Sequence, residues 1–251
     1  PPNSAAIRSM QTWLLGQLRS MKYEVFEDDF KGDTPRGAMP MKNIIARKAG
    51  SSGRAIVFTG HYDTKLFPGR NFVGANDGGA SAALLLEMAR IVAGRSYKDD
   101  VYFVWFDGEE AIGEWSQTDG VHGSRHLAAK WSADGMLARV KALINVDMIG
   151  DKDLDIMQEM NSSAPLRNLV WQVAKETGYG KYFREDGGAI EDDHIPFLRR
   201  GVNALDLIDF NYGPNHEYWH TDKDTIDKLS AHSFEVVGNV LLETLRRLSG
   251  S

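Results

Sequence analysis

Apolar positions along the chain fall into two rhythms. From residue 4 to 22, Ile7, Met10, Trp13, Leu14, Leu18 and Met21 recur at three- and four-residue steps, which predicts an amphipathic helix with one buried stripe. Strand-length runs follow at 23–27 (YEVFE) and 43–48 (NIIARK), the first expected as the edge partner of a hairpin. RAIVFTG at 54–60 is apolar almost throughout, as a strand covered on both faces requires. Beyond it the pattern gives a helix at 79–93, the strand VYFVWFD at 101–107, a helix near 124–132 and the strand ALINVDM at 142–148. Pro165, in a first turn, opens a helix that Gly178 closes, with Leu166, Leu169, Val170 and Val173 facing inward. A short strand at 204–208 precedes the Gly/Pro/Asn loop 211–218, and a last helix carries Phe234, Val237, Val240, Leu241, Leu245 and Leu248.

Strands alternating with helices predict an α/β architecture around a largely parallel sheet. No repeat, low-complexity tract or linker interrupts the 251 residues, so one domain spanning 1–251 is expected. The chain has no cysteine, which excludes disulfides, thiol catalysis and thiolate ligands; any metal must be held by oxygen and imidazole. A net charge of −6 without a basic run argues against nucleic acid and anionic membrane surfaces as partners. No stretch reaches the roughly 18 to 20 apolar residues of a membrane span, and no signal segment is present, although the abrupt PPNS start is compatible with one removed upstream.

The richest chemistry lies where apolar strands end. VYFVWFDGEE runs straight into Glu109 and Glu110, and where a strand gives way to a loop its side chains diverge. One carboxylate of such a pair can ligate a cation while its neighbour moves protons, and the residues alone leave either glutamate eligible for either task. His61 in GHYD and Asp147 in NVDM also follow strand residues, and open α/β sheets bind ligands beyond the carboxyl ends of their strands. Asp77 sits in a turn where Gly74, Gly78 and Gly79 permit close backbone approach, and His220 lies in a late loop between Trp219 and Thr221. Taken singly, each has an ordinary role as a turn, cap or solvated loop residue. The order His, Asp, Glu-Glu, Asp, His overturns that, and an all-N/O set suits Zn²⁺ with a coordination position left open. Asp63, two residues past His61, is placed to orient an imidazole or a base. His122, His126 and His232 fit helix or loop surfaces, and Trp13, Trp105 and Trp171 fit packing positions.

The succession GHYD, GAND, DGEE, VDMIG and WHT resembles the zinc exopeptidase clan of co-catalytic aminopeptidases. Within it, FDGEEAIGEWSQTDGVHGSRHLAAK, IEDDHIPFLRRGVNALDLI and EYWHTDKDTID closely resemble the animal-type glutaminyl cyclases, from the first helix to the last. That resemblance implies a three-layer sandwich with a mixed, mostly parallel sheet between helices on both faces. It implies conversion of N-terminal glutamine to pyroglutamate with loss of ammonia. Carried over by position, Asp77, Glu110 and His220 would hold a single zinc, and Glu109 would be the general acid/base. Asp192 and Asp147 would form a hydrogen-bonded acidic pair beside it, and Trp115 and Trp219 would line the substrate pocket. Asp193 would be structural, with His194 and Arg199 bracing the loop against the core.

Departures from the animal pattern have consequences of their own. Glu191 stands where the animal enzymes usually have glutamine, adding a negative charge at the pocket mouth that bears on the residue after glutamine. Gly60 and Ala82 occupy what look like the positions of paired animal cysteines, and the connections are short, as in a compact bacterial relative. His61 and Asp147 complete a five-residue ligand set, so the residues permit a second metal. The rival reading is therefore a di-zinc aminopeptidase in which Glu109 activates water. Peptide or protein N-termini are the expected partners, a monomer the expected state, and a secreted or periplasmic setting the one the family implies.

Overall fold

The computed structural model describes residues 1–70 and 72–250. Six strands form one sheet: β1 (Glu24–Thr34), β2 (Gly37–Lys48), β3 (Ala55–His61), β4 (Asp100–Phe106), β5 (Val140–Asp147) and β6 (Ala204–Ile208), in the order β1-β2-β4-β3-β5-β6. β1 with β2 and β2 with β4 are antiparallel, whereas β3 pairs in parallel with β4 and β5, and β5 with β6. Every residue of β3 and β4 is buried, in keeping with the near-continuous apolar runs that mark them in sequence.

Helices cover both faces. α1 (Ala5–Ser20), α2 (Gly79–Ala93), α4 (Ala164–Glu176) and α6 (Ala231–Ser249) bring Leu14, Leu85, Val170 and Leu241 into the larger core, with Phe58, Phe103 and Trp105 of the sheet. α3 (His122–Ala133) and the short α5 (Ile195–Leu198) close the other face, where Leu127, Trp131 and Phe197 pack on Val57, Val104 and Phe106. Full burial of each such side chain contributes about 1.5–3 kcal/mol. The ends carry local signals: the Ser4 hydroxyl accepts the Ile7 N–H at 3.1 Å to cap α1, and Pro165 stands in the first turn of α4.

The expected elements are present, with one notable extension. The β1–β2 hairpin runs through residues 28–42 and turns between Thr34 and Gly37, far past the two short runs legible in sequence. β1 is a mostly exposed edge strand, so its middle has no apolar alternation to read. Among the described residues no helix is long and apolar enough to cross a membrane.

β4, β3 and β5 are adjacent and parallel, so their carboxyl ends open on one side, delivering Glu109 and Glu110 just past β4, His61 at the end of β3 and Asp147 at the end of β5.

Candidate active site at the strand ends

The side chain of Asp63 sets the geometry of the glutamate pair. Its Oδ1 accepts the backbone N–H of Glu109 at 3.1 Å and its Oδ2 that of Glu110 at 3.3 Å, fixing the peptide from which both side chains leave. The same carboxylate lies 3.6 Å from Nδ1 of His61. Asp63 thus holds the site's backbone as well as facing the imidazole, a double duty its spacing from His61 only half revealed.

Two overlapping groups of ligand-type atoms result, each lying within 4.8 Å: Asp77, Glu110 and His220, and His61, Asp77 and Asp147. Asp77 is common to both, and its backbone is anchored from beneath. Asp224 accepts the N–H of Asn76 at 2.8 Å and of Asp77 at 3.2 Å, and the hydroxyl of Tyr212 at 2.7 Å. The following residue must be glycine: Gly78 has φ +90°, and a Cβ there would stand 2.3 Å from the carbonyl oxygen of Asp63.

Nε2 of His220 lies 3.0 Å from Oε1 of Glu110 and 3.2 Å from Oδ2 of Asp77. That second oxygen is buried and makes no hydrogen bond, so the two atoms face each other as ligands of a common cation would. His220 is held in the left-handed region at φ +54°, a conformation costing about 1 kcal/mol or more in a non-glycine residue. Trp219 stacks on its ring at 4.1 Å between centroids, and Phe67 and Phe72 meet it edge-on. On the other side, His61 Nε2 and Asp147 Oδ1 are 3.1 Å apart.

Electrostatics separate the members. Burial pushes Glu109 well above the usual carboxylate range; the His61 charge opposes this, and Glu110, Asp192 and Asp193 reinforce it. Burial and the charge of Asp77 raise Glu110 to about 7 against the pull of His220. Asp147, raised by burial and partly restrained by His61, stands at about 6. Burial would raise Asp77, but the facing imidazoles of His220 and His61 outweigh it and hold its carboxyl below the usual range. His220 rises to about 9, its carboxylate partners overcoming desolvation. Such a concentration of negative charge and raised carboxyls is the environment a bound cation relieves.

These groups line a pocket of about 380 Å³, in the range of small-ligand sites. Trp115 and Trp219 form part of its wall and stay 41% and 37% exposed, as residues that meet a ligand rather than a core. Glu191 lies at the same wall and pairs with Arg199 at 2.9 Å, so Arg199 meets the rim charge and not the core. Asp192 is buried beside the pocket with one carboxylate oxygen unbonded, and no hydrogen bond joins it to Asp147, whose bond goes to His61. His194 does brace the loop, through Glu159.

Other residues were not legible from sequence. Phe210 meets Trp219 edge-on at 5.1 Å, and Ile190, Met148 and Lys65 complete the wall; Lys65 Nζ donates to the Ala111 carbonyl at 3.1 Å and lies 3.6 Å from Glu110. The expectation for His122 needs correction. It is buried, its Nε2 3.1 Å from Asp119, within the loop that presents Trp115. A histidine following a Gly-rich polar loop looks solvated until Asp119 is seen folding back on it.

Fold and site together define a metal-dependent α/β exopeptidase-type domain, and the comparisons agree. Residues 43–245 match Peptidase family M28. The glutaminyl-peptide cyclotransferase of Bos taurus is 33% identical over 248 residues, covering 85% of this chain and 68% of that protein. An Acidobacteriales bacterium glutaminyl cyclase superposes with a TM-score of 0.95 at 41% identity, covering 99% of this chain and 88% of the other. A Zn-dependent exopeptidase from Parabacteroides distasonis shares the fold, with a TM-score of 0.86 at 24% identity over 100% of this chain and 92% of its own. The chain belongs to Peptidase family M28, and within it to the glutaminyl-peptide cyclotransferases.

Proposed function

We propose that the protein is a glutaminyl-peptide cyclotransferase that binds one zinc through Asp77, Glu110 and His220. The observation that carries this reading is the division between neighbours. Glu110 joins both other ligands within 4.8 Å, whereas Glu109, buried and held well above the usual carboxylate range, belongs to neither ligand group among the described residues. A proton-moving group needs that separation from the cation and that shift toward neutrality.

Zinc bound there would act as a Lewis acid on the γ-carbonyl of the substrate glutamine. Glu109 takes a proton from the α-amine as its nitrogen bonds the γ-carbon, then returns it to the amide nitrogen, which leaves as ammonia. Trp115 and Trp219 hold the flat side chain and limit water, and the Trp219 ring N–H is available to the γ-carbonyl oxygen. Burial, together with the charges of Glu110, Asp192 and Asp193, keeps the proton affinity of Glu109 high, and Asp147, itself raised by burial and by Asp192, stands in the same pocket wall. Glu191 at the wall bears on the residue after glutamine.

A di-zinc aminopeptidase would place a second ion between His61, Asp77 and Asp147. The single-ion reading is supported by the pocket wall, in which Asp77, Glu110 and His220 all stand while His61 does not. We further propose that residues 1–251 act as one catalytic domain, as a monomer on peptide N-termini, in a secreted or periplasmic setting. The test is Glu109→Gln in an ammonia-release assay on a Gln-initiated dipeptide. Turnover falls about 10²–10⁴-fold with zinc content unchanged, the range for a lost general acid/base. Full activity in the variant would remove Glu109 from that role.

A further inference from the structure

Glu159 lies outside the pocket and outside both ligand groups, yet it is fully buried and bonded more heavily than any acid at the site. Its Oε1 accepts the backbone N–H groups of Asn161 and Ile190, each at 2.9 Å. Its Oε2 accepts the N–H and the hydroxyl of Ser162, both at 2.7 Å, and the Nε2–H of His194 at 3.0 Å. Because an ionised carboxylate only accepts, the imidazole nitrogen facing it is the protonated one. Five donors on one carboxylate more than fill its roughly four lone-pair sites, a saturation beyond what covering a loop requires.

The donors come from both sides of the pocket wall. Ile190 precedes Glu191 and Asp192 in that wall, and His194 stands two residues beyond Asp192, so Glu159 grips the segment on either side of it. Ser162 carries the grip into the sheet, its hydroxyl accepting the N–H of Asp206 in β6 at 2.9 Å. Other ties flank this grip: the Gln158 N–H donates to Asp186 and the Met160 N–H to Gly188 ahead of the wall, the Asn161 side-chain amide donates to the Ile190 carbonyl at 3.0 Å, and the Ile195 N–H donates to the Asp192 carbonyl at 2.9 Å, but the carboxylate of Glu159 is the group that joins the segment before Asp192 to the one after it.

We propose that Glu159, with His194, is a positioning residue that fixes Asp192 against Glu109. This rests on the cyclase reading above and on Asp192 acting in it. Glu159 touches neither substrate nor metal; it acts through the segment it clamps. Loss of the clamp leaves the ligands Asp77, Glu110 and His220 on their own anchors, so zinc stays while turnover falls.

A double-mutant cycle on kcat distinguishes positioning from mere folding. Glu159→Gln and His194→Gln, each folded with wild-type zinc content, lower kcat for a Gln-initiated dipeptide about 10–100-fold, with KM changed less than about threefold. In an Asp192→Asn background, its residual rate read at high enzyme concentration, the same substitutions cost less than about threefold, because the group they position is already gone. Equal losses in both backgrounds, or zinc loss that accounts for the fall, would overturn the proposal. Should Glu159→Gln fail to fold, His194→Gln carries the cycle alone. A wild-type protein that releases no ammonia removes the cyclase reading, and the proposal falls with it; ammonia release with additive cycles removes the proposal only.

Discussion

The ring of Trp115 packs closely against Gly120: a methyl group there would stand 2.9 Å from Cζ3 and 3.0 Å from Cε3. Gly120 also has φ +120°, so any side chain is strained as well as obstructed. Asp119 closes the loop by accepting the N–H groups of Ile112 at 3.0 Å and Gly113 at 2.7 Å. A pocket tryptophan on a polar loop is therefore built in, with its seat five residues along the chain.

Gly120→Ala displaces that indole and replaces no ligand; because the next residue's N–H donates to the Glu109 carbonyl at 2.7 Å, kcat is read alongside KM. The variant raises KM for a Gln-initiated dipeptide about tenfold, the order of one misfitted hydrophobic contact, with zinc content unchanged. Steady-state kinetics check this, and the same change in a Trp115→Ala background adds little. An unaltered KM in Gly120→Ala would show that Trp115 is not seated where substrate binds.

Metal content separates the two chemistries the ligand groups permit. One tightly bound zinc per chain is expected by elemental analysis, lost with activity in His220→Ala and kept in His61→Asn. Dialysis against a chelator abolishes ammonia release, and zinc restores it. Two zincs per chain, one of them lost in His61→Asn, would instead support the aminopeptidase reading.

Glu159 makes a prediction about stability that is independent of catalysis. Burial alone would raise its carboxyl, but the bond from His194 and those from Ile190, Ser162 and Asn161 prevail and bring it to about 2 from the ordinary 4.5. A depressed carboxylate stabilises the folded state above its unfolded value of about 4.5, and that contribution is lost as pH falls toward 2. The shift corresponds to about 3 kcal/mol at neutral pH. Urea unfolding at pH 7 therefore separates wild type from Glu159→Gln by about that amount, and the gap narrows between pH 4.5 and 2. A gap that stays constant down to pH 2 would contradict the bonding described.

Much of this arrangement could be read before the structure, for physical reasons. Core strands such as Ala55–His61 and Asp100–Phe106 are buried on both faces, so they leave continuous apolar runs whose ends mark the crevice. α2 spans Gly79–Ala93, the range its periodicity gives. The long hairpin was hidden because an exposed edge strand is patterned by pairing rather than burial. Glu159 and His122 were hidden because an acid or imidazole in a polar loop looks solvated, and only tertiary contact reveals its donors. Asp63 was visible by its spacing from His61, but its grip on two backbone amides depends on β3 and β4 lying side by side.

In the proposed mechanism the proton that Glu109 moves comes from the substrate's own amine and not from water. Incubating the protein with a Gln-initiated dipeptide and identifying the products by mass, with free amine and ammonia counted, tests it most directly. One equivalent of ammonia per turnover and a pyroglutamyl dipeptide with its peptide bond intact are the expected products. Release of free glutamine and the second amino acid, without ammonia, would contradict that mechanism.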